Sequence, residues 1–240
     1  MKAKILLLIC VGYFFTSCEK DYLPDLDSEH CINVNIKGSV CVKPSEEKLN
    51  NIPVEVLFVY NYSMFSYEIQ KVVSGKTNKN GEFDFKAIID TTSFKNYYLC
   101  IRIPRLADYI SFPYSGNSNY VDINFYDYDA DALQKSINFE LYKKVKLTIN
   151  LKRTQTDEFE YFSVEHSFVD NLRYSDYLIS SPTFATSEIL QCETAADVYT
   201  KIRWGKRLKG DTMGSLYGPN AHIDSLICRQ NSSNVFNINY

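Results

Sequence analysis

The stretch from Ile137 to Leu151 constrains this chain more than any other. Its odd positions are Ile137, Phe139, Leu141, Lys143, Val145, Leu147, Ile149 and Leu151, and its even positions are Asn138, Glu140, Tyr142, Lys144, Lys146, Thr148 and Asn150. Strict alternation of this kind is the period-2 signature of a half-buried antiparallel strand. At about 3.3 Å per residue the ribbon would run roughly 50 Å, far beyond the usual strand of about 5 or 6 residues. Two strands placed end to end are therefore expected, one closing a first β domain and one opening a second. Lys143 and Lys144, which interrupt the apolar row, would be the solvated joint between two cores.

Length and composition agree with an all-β chain of two consecutive sandwich domains. At 240 residues the sequence lies where one core usually splits into two. Nineteen Tyr and 15 Phe against 3 Met and 1 Trp favour strands over helices. The balance of 26 Lys and Arg against 29 Asp and Glu gives −3, and loss of Lys2 and Lys4 would take it to −5. No nucleic-acid footprint is present in such a charge pattern.

Lys2 and Lys4 precede an apolar run from Ile5 to Phe15, followed by Thr16, Ser17 and Cys18. The run is too short to span a bilayer and fits the apolar region of a secretory signal. Small residues directly before a cysteine resemble a bacterial lipobox, with Phe15 in place of the usual leucine. That resemblance implies cleavage of residues 1–17, a diacylglycerol and a further acyl chain such as palmitate on Cys18, and attachment to the outer membrane. More than one chain satisfies the rule that a single chain anchors only marginally. Glu19, Lys20 and Asp21 after the cysteine resemble a surface-export signal, so a cell-surface location is expected. Residues 18–30 are read as a solvated tether of up to about 40 Å.

Folded structure is expected from Cys31. Ile32, Val34, Ile36, Gly38, Val40 and Val42 alternate with polar residues, and Pro53 opens a second strand through Val54, Val56, Phe58 and Tyr60. A third strand is expected over 65–73. Asn80-Gly81 before Phe83 and Phe85 is a strong hairpin signal, because a type I′ turn needs positive φ at both central residues. Leu99, Ile101 and Ile103 mark a further strand. Gly38 and Val40, then Pro53, Val54 and Val56, then Thr77, Asn78, Gly81 and Phe83 resemble the carboxypeptidase regulatory-like family. This resemblance covers roughly 70 residues and implies a transthyretin-like seven-stranded sandwich over residues 31–142. Because that family is mostly a non-catalytic module, it implies no chemistry.

From residue 143 to 240 the pattern restarts, with strands expected at Val145 to Leu151, Phe159 to Phe168, Val198 to Trp204, Ile223 to Cys228 and Phe236 to Tyr240. The stretch 169–194 is too long for an ordinary loop and should hold further strands or a short helix at 187–192. The paired halves resemble the double sandwiches of bacterial surface lipoproteins.

Candidate chemistry is sparse. His30, His166 and His222 have neither zinc nor triad spacing, and no metal site or cofactor is expected. Asp127, Asp129 and Asp131 resemble the start of a calcium loop, yet Ala132 and Asn138 stand where that loop needs glycine and glutamate. No phosphate loop or nucleophile elbow occurs. Cys41 and Cys100 fall on polar faces, exposed or meeting on neighbouring strands, with a bridge between them left open. Lys201, Arg203, Trp204, Lys206 and Arg207 form the densest basic run, fitting an edge strand protected by charge or an anionic-ligand patch. Tyr60, Tyr62, Phe65 and Tyr67 could stack on sugars or serve as core and turn residues. Thr91, Thr212 and Ser225 each follow an aspartate and precede Thr92, Met213 and Leu226, so the triplets resemble bacterial O-glycosylation acceptors. The expected role is non-enzymatic: a lipid-anchored binding or assembly module with a membrane partner through Cys18 and a glycan or envelope-protein partner. The alternative is a component of a surface glycan-degrading system.

Overall fold

A computed structural model describes residues 19–24, 28–63, 66–112, 119–154, 159–168, 173–180, 187–210, 216, 218 and 220–240. The strands run β1 (Glu19–Asp21), β2 (Cys31–Lys43), β3 (Glu47–Lys48), β4 (Pro53–Ser63), β5 (Ser66–Lys76), β6 (Glu82–Asp90), β7 (Tyr98–Pro104), β8 (Tyr109–Phe112) and β9 (Tyr120–Phe125). A short helix α1 (Ala130–Gln134) precedes β10 (Ile137–Lys152). The second half contains β11 (Tyr161–Phe168), β12 (Arg173–Ser180), β13 (Ser187–Ala195), β14 (Tyr199–Arg207), β15 (Ala221–Ile227) and β16 (Asn234–Asn239). The all-β reading holds. One sheet has the order β1-β5-β4-β7-β9, another β12-β11-β14-β15, and a third is built along β10.

β10 is one continuous strand that serves two layers. Its first part pairs in parallel with β2 and antiparallel with β8, and its second part pairs antiparallel with β13 and in parallel with β16. Its environment is thus mixed rather than purely antiparallel. Ile137, Phe139 and Leu141 join Ile36 and Val40 of β2 in one core, facing Val56 and Phe58 of β4 and Leu99 and Ile101 of β7. Leu147, Ile149 and Leu151 join Phe162, Val164, Ile202 and Ile238 in a second. At the parallel contact Gly38 lies level with Ile137. A Cβ at Gly38 would overlap the Ile137 carbonyl oxygen and come within 2.5 Å of the Phe83 ring. The close approach of two backbones, here one of them to a carbonyl, explains the glycine.

The joint differs from the expected solvated break. Tyr142, read as part of the polar face, is 4% exposed and meets Phe168 with ring centroids 5.6 Å apart, in a cluster with Ile110 and Ala195. Both faces of β10 are covered where the strand passes from one layer to the other, so the period-2 rule lapses there. Lys143 reaches Glu47 at 3.4 Å and Lys144 reaches Glu193 at 3.1 Å. Their backbones are also engaged, Lys144 N–H with the Asp108 carbonyl at 2.9 Å and the Lys143 carbonyl with Ala196 N–H at 2.8 Å.

Other expectations change for local reasons. Asn80-Gly81 does not close a hairpin, because β5 belongs to one sheet while β6 pairs antiparallel with β2 in another. Gly81 alone in that pair takes positive φ, at 71°. The Asn78 side chain holds this corner by accepting from the N–H groups of Asn80 at 2.8 Å and Glu82 at 3.0 Å, as an Asx turn does. The segment 187–192 is strand, part of β13, and not helix. Leu190 and Thr194 are buried there while Ile189 is exposed, an alternation hidden by polar residues on the inward face. β14 lies between β11 and β15 and is not an edge. Cys41 and Cys100 are buried free thiols in different sheets, with no disulfide between them. Residues 19–22, read as tether, are folded in: β1 pairs in parallel with Ile69 to Lys71 of β5.

His166 on β11 is 2% exposed, with Nε2 2.9 Å from the Glu193 carbonyl. Burial lowers its pKa below the usual 6.5, against the opposing effect of that hydrogen bond. The unfolded chain then binds a proton that the folded chain refuses, so stability is full above about pH 6.5 and falls as pH drops below it. The slope should approach about 1.4 kcal/mol per pH unit. Urea titrations between pH 7.5 and 5.5 should show this slope reduced in His166→Gln, and equal slopes would exclude His166 as its source.

Candidate functional site

Alternation along β14 divides the basic run between two faces. Arg203 faces Glu165 of β11 in the cross-strand register, and its Nη1 donates to Glu165 Oε1 at 3.0 Å. Arg207 pairs with Glu160 at 3.2 Å and donates to the Tyr161 hydroxyl at 3.1 Å. Lys201 stands opposite Ser225 on β15. Trp204 and Lys206 point the other way. The five residues therefore do not make one anionic-ligand patch: two arginines are engaged in ion pairs along the sheet, and the tryptophan and one lysine belong to a different feature.

That feature is an open recess of about 330 Å³ lined by Phe162, Trp204, Gly205, Lys206, Leu208, Asn220, His222, Asn239 and Tyr240. Its lining comes from β11 and β14, from β15 at the edge of their sheet, and from the end of β16, which pairs with β10. Each lining group has a local reason for its position. His222 pairs directly with Trp204 across β14 and β15, and their rings stack at 5.5 Å with 20° between planes. Phe236 of β16 meets the Trp204 ring at 5.6 Å in an edge contact, so the indole is pinned between the two edge strands. Tyr240 stacks on Phe162 at 4.0 Å, and Lys206 Nζ lies 5.8 Å from the Tyr240 ring centre. Burial raises the Tyr240 phenol pKa, so the group stays a neutral hydrogen-bonding hydroxyl at physiological pH. Gly205 supplies floor without a side chain. The chemistry offered is stacking on an exposed imidazole backed by indole, two carboxamides, and one ammonium group.

Sequence reasoning found Trp204 and Lys206 and missed His222, Asn220, Asn239 and Tyr240. His222 has no second histidine nearby in the sequence, and only the β14–β15 register brings it to Trp204. The remaining candidates are dispersed. Thr91 starts the 3-10 turn Thr91–Lys95, where its hydroxyl donates to the His30 carbonyl at 3.3 Å and Asp90 caps the turn through Thr92 N–H at 2.8 Å. Ser225 is exposed on edge strand β15. Thr212 and Cys18 lie outside the described residues, as do the side chains of Tyr62, Phe65 and Tyr67. Tyr60 packs on Tyr97 at 5.3 Å. Asp129 caps α1, accepting from the N–H groups of Asp131 and Ala132 at 2.9 and 3.0 Å.

A charged row crosses the first sheet through Glu55, Arg102 and Asp122 in register. Arg102 Nε donates to Glu55 at 2.7 Å, and its guanidinium lies 4.0 Å over the Tyr120 ring. Burial raises the Asp122 pKa against the pull of Arg102, and burial pushes the neighbouring Cys100 thiol up to about 12. A thiol so placed stays protonated and unreactive at neutral pH.

No protein-family model and no curated protein matches this chain. Among solved structures it is similar to a streptococcal ancillary pilin, at 10% identity over 86% of this chain and 62% of that one, with a TM-score of 0.29. The chain thus spans less than two thirds of that protein. The shaft pilin SpaA from Lactobacillus rhamnosus GG aligns at 11% identity over 87% and 98%, with a TM-score of 0.32. A DUF3823 family protein from Bacteroides uniformis aligns at 10% identity over 82% and 100%, with a TM-score of 0.28.

Proposed function

We propose that this protein is a lipid-anchored, non-catalytic binding module of the bacterial outer membrane, held through acylated Cys18 and displayed at the cell surface, with the recess between β15 and β16 as its ligand seat. The observation that carries the seat is the Trp204–His222 stack, fixed from both edge strands and open on one side. An aromatic face with carboxamides at its rim suits a sugar ring, whose C–H face lies on the aromatic ring while its hydroxyls exchange hydrogen bonds with amide groups. Lys206 adds a preference for an anionic sugar. The two cores divided along β10 support domains at 31–142 and 143–240, the first read as carboxypeptidase regulatory-like.

Two measurements test this reading. Binding of the acylated protein to acidic and neutral envelope polysaccharides, followed by calorimetry or affinity electrophoresis, should weaken about tenfold in the double variant Lys206→Ala and His222→Ala. Melting should be unchanged, since His222 is exposed and Lys206 half-buried. Binding equal to that of the parent would remove the recess as the seat. For the anchor, globomycin treatment and Cys18→Ala should each leave unprocessed precursor. Normal cleavage of the alanine variant would refute lipoprotein processing.

A further inference from the structure

The chain that follows Cys18 is bound into the first core. Glu19 to Asp21 pair with Ile69 to Lys71, and Tyr22 N–H donates to the Lys71 carbonyl at 2.7 Å. The Tyr22 hydroxyl accepts from Asp90 N–H at 2.8 Å and lies 3.2 Å from Ser93 Oγ, and its ring packs on Phe58 at 4.9 Å. Lys20 reaches Glu68 at 3.8 Å. Consecutive α-carbons are about 3.8 Å apart across a trans peptide, so a lipid on Cys18 would be joined to Glu19, the first residue of β1, through a single peptide unit.

The direction of β1 decides which end of the body carries the lipid. β1 runs parallel to β5, so its first residue, Glu19, paired with Ile69, lies at the end of the sheet that holds the start of β5. The register places Val59 and Tyr98 beside Ile69 at this end, with Tyr126 following directly after Phe125, the partner of Leu99. Tyr98 and Tyr126 meet at 5.2 Å, and Tyr126 is 66% exposed. Tyr128, 38% exposed, packs on Phe94, whose ring meets Phe58 beside Tyr22. Tyrosine is a residue of the lipid headgroup layer, where its apolar ring and polar hydroxyl are both satisfied. The charges at this end are mixed: Lys95 and the Lys20–Glu68 pair stand with Asp127.

We propose that this tyrosine-bearing end of the first sheet is a bilayer-facing surface, seated in the headgroup layer by the acyl chains of Cys18, so that the protein stands on the membrane without a leash. The proposal rests on the lipid-anchor reading above. It makes the opposite end of β5, at Lys76 and the Lys79 turn, the distal end, more than about 20 Å further from the lipid.

The test uses the full acylated protein in neutral phosphatidylcholine vesicles containing lipid brominated near the headgroup. The single native tryptophan, Trp204, lies in the second core and reports on that half. Tyr126→Trp should add emission that bromine quenches, whereas Lys79→Trp and the parent protein should not be quenched. A flexible Gly-Ser insertion of about twelve residues between Cys18 and Glu19 should abolish quenching in Tyr126→Trp while flotation with the vesicles persists. Flotation without quenching of Tyr126→Trp, equal quenching at the distal position, or quenching of Trp204 would each overturn the upright pose and leave the anchor intact. Quenching unaffected by the insertion would mean that the short connection does not set the pose, and would overturn the proposal too. Loss of flotation in the parent would overturn the anchor reading and the pose together.

Discussion

Gly38→Ala is expected to destabilise the first core by more than about 3 kcal/mol, past the ordinary range for overpacking. A methyl group there meets the Ile137 carbonyl, which is backbone, and the Phe83 ring, which is itself held by Phe85 at 5.6 Å and Phe139 at 6.4 Å. Neither neighbour can withdraw cheaply: moving the carbonyl separates β2 from β10, and moving the ring opens the core around Phe139. Gly75→Ala is the useful contrast, since the nearest atoms belong only to the Phe85 side chain. It should cost clearly less. Urea denaturation of both variants at neutral pH checks the ranking, and a Gly38→Ala protein as stable as Gly75→Ala would show that β2 and β10 are not packed this closely.

Leu147→Ala and Leu141→Ala should each cost about 2 to 5 kcal/mol, from lost transfer free energy and the cavity left behind. Leu147 is 0% exposed in the second cluster and Leu141 2% exposed in the first. If the two cores were independent, each variant would lower one calorimetric transition and leave the other in place. The buried Tyr142–Phe168 contact and the unbroken strand change that expectation, because contacting residues couple. Each leucine variant should therefore shift its own transition most and the other measurably. Tyr142→Ala should shift both and bring the coupling down. Lys146→Ala, exposed on the polar face of β10, should stay within about 0.5 kcal/mol. Two wholly unlinked transitions in the parent protein would show that the seam does not couple the cores.

The strands with clean alternation were legible residue by residue. Ile32 to Val42, Val54 to Phe58, Leu99 to Ile103 and Ile137 to Leu151 all emerge with the expected inward faces. What failed was information that no single segment carries. The Asn80-Gly81 turn has the residues of a hairpin, yet its flanking strands part into different sheets. Tyr142 looks polar-facing until Phe168, brought from the second half, covers it. For β13 the sequence leaves strand and short helix open, because its inward residues are Leu190, Cys192 and Thr194, too polar to form an apolar row. For the recess, Trp204 and Lys206 could be named from their strand, but His222 joins them through strand register, and Asn220 through the turn that leads into β15. The basic run showed the opposite weakness, since adjacency in sequence joined side chains that the pleat then sends to opposite faces.

The shared strand also determines how the molecule would respond to being pulled. β16 lies parallel to β10 from Leu147 to Lys152, and β10 lies parallel to β2 from Ile137 to Tyr142. Tension along these parallel strands slides one past the next and loads every rung of the ladder together, whereas peeling an antiparallel hairpin breaks its rungs in turn. A tug delivered to the second half, with the first held at its N-terminal strand, would run down β10 as shear through both ladders in series. Rupture would then be abrupt and at high force, a yield behaviour that single-molecule pulling from Cys18 and Tyr240 would register as one tall peak instead of a staircase.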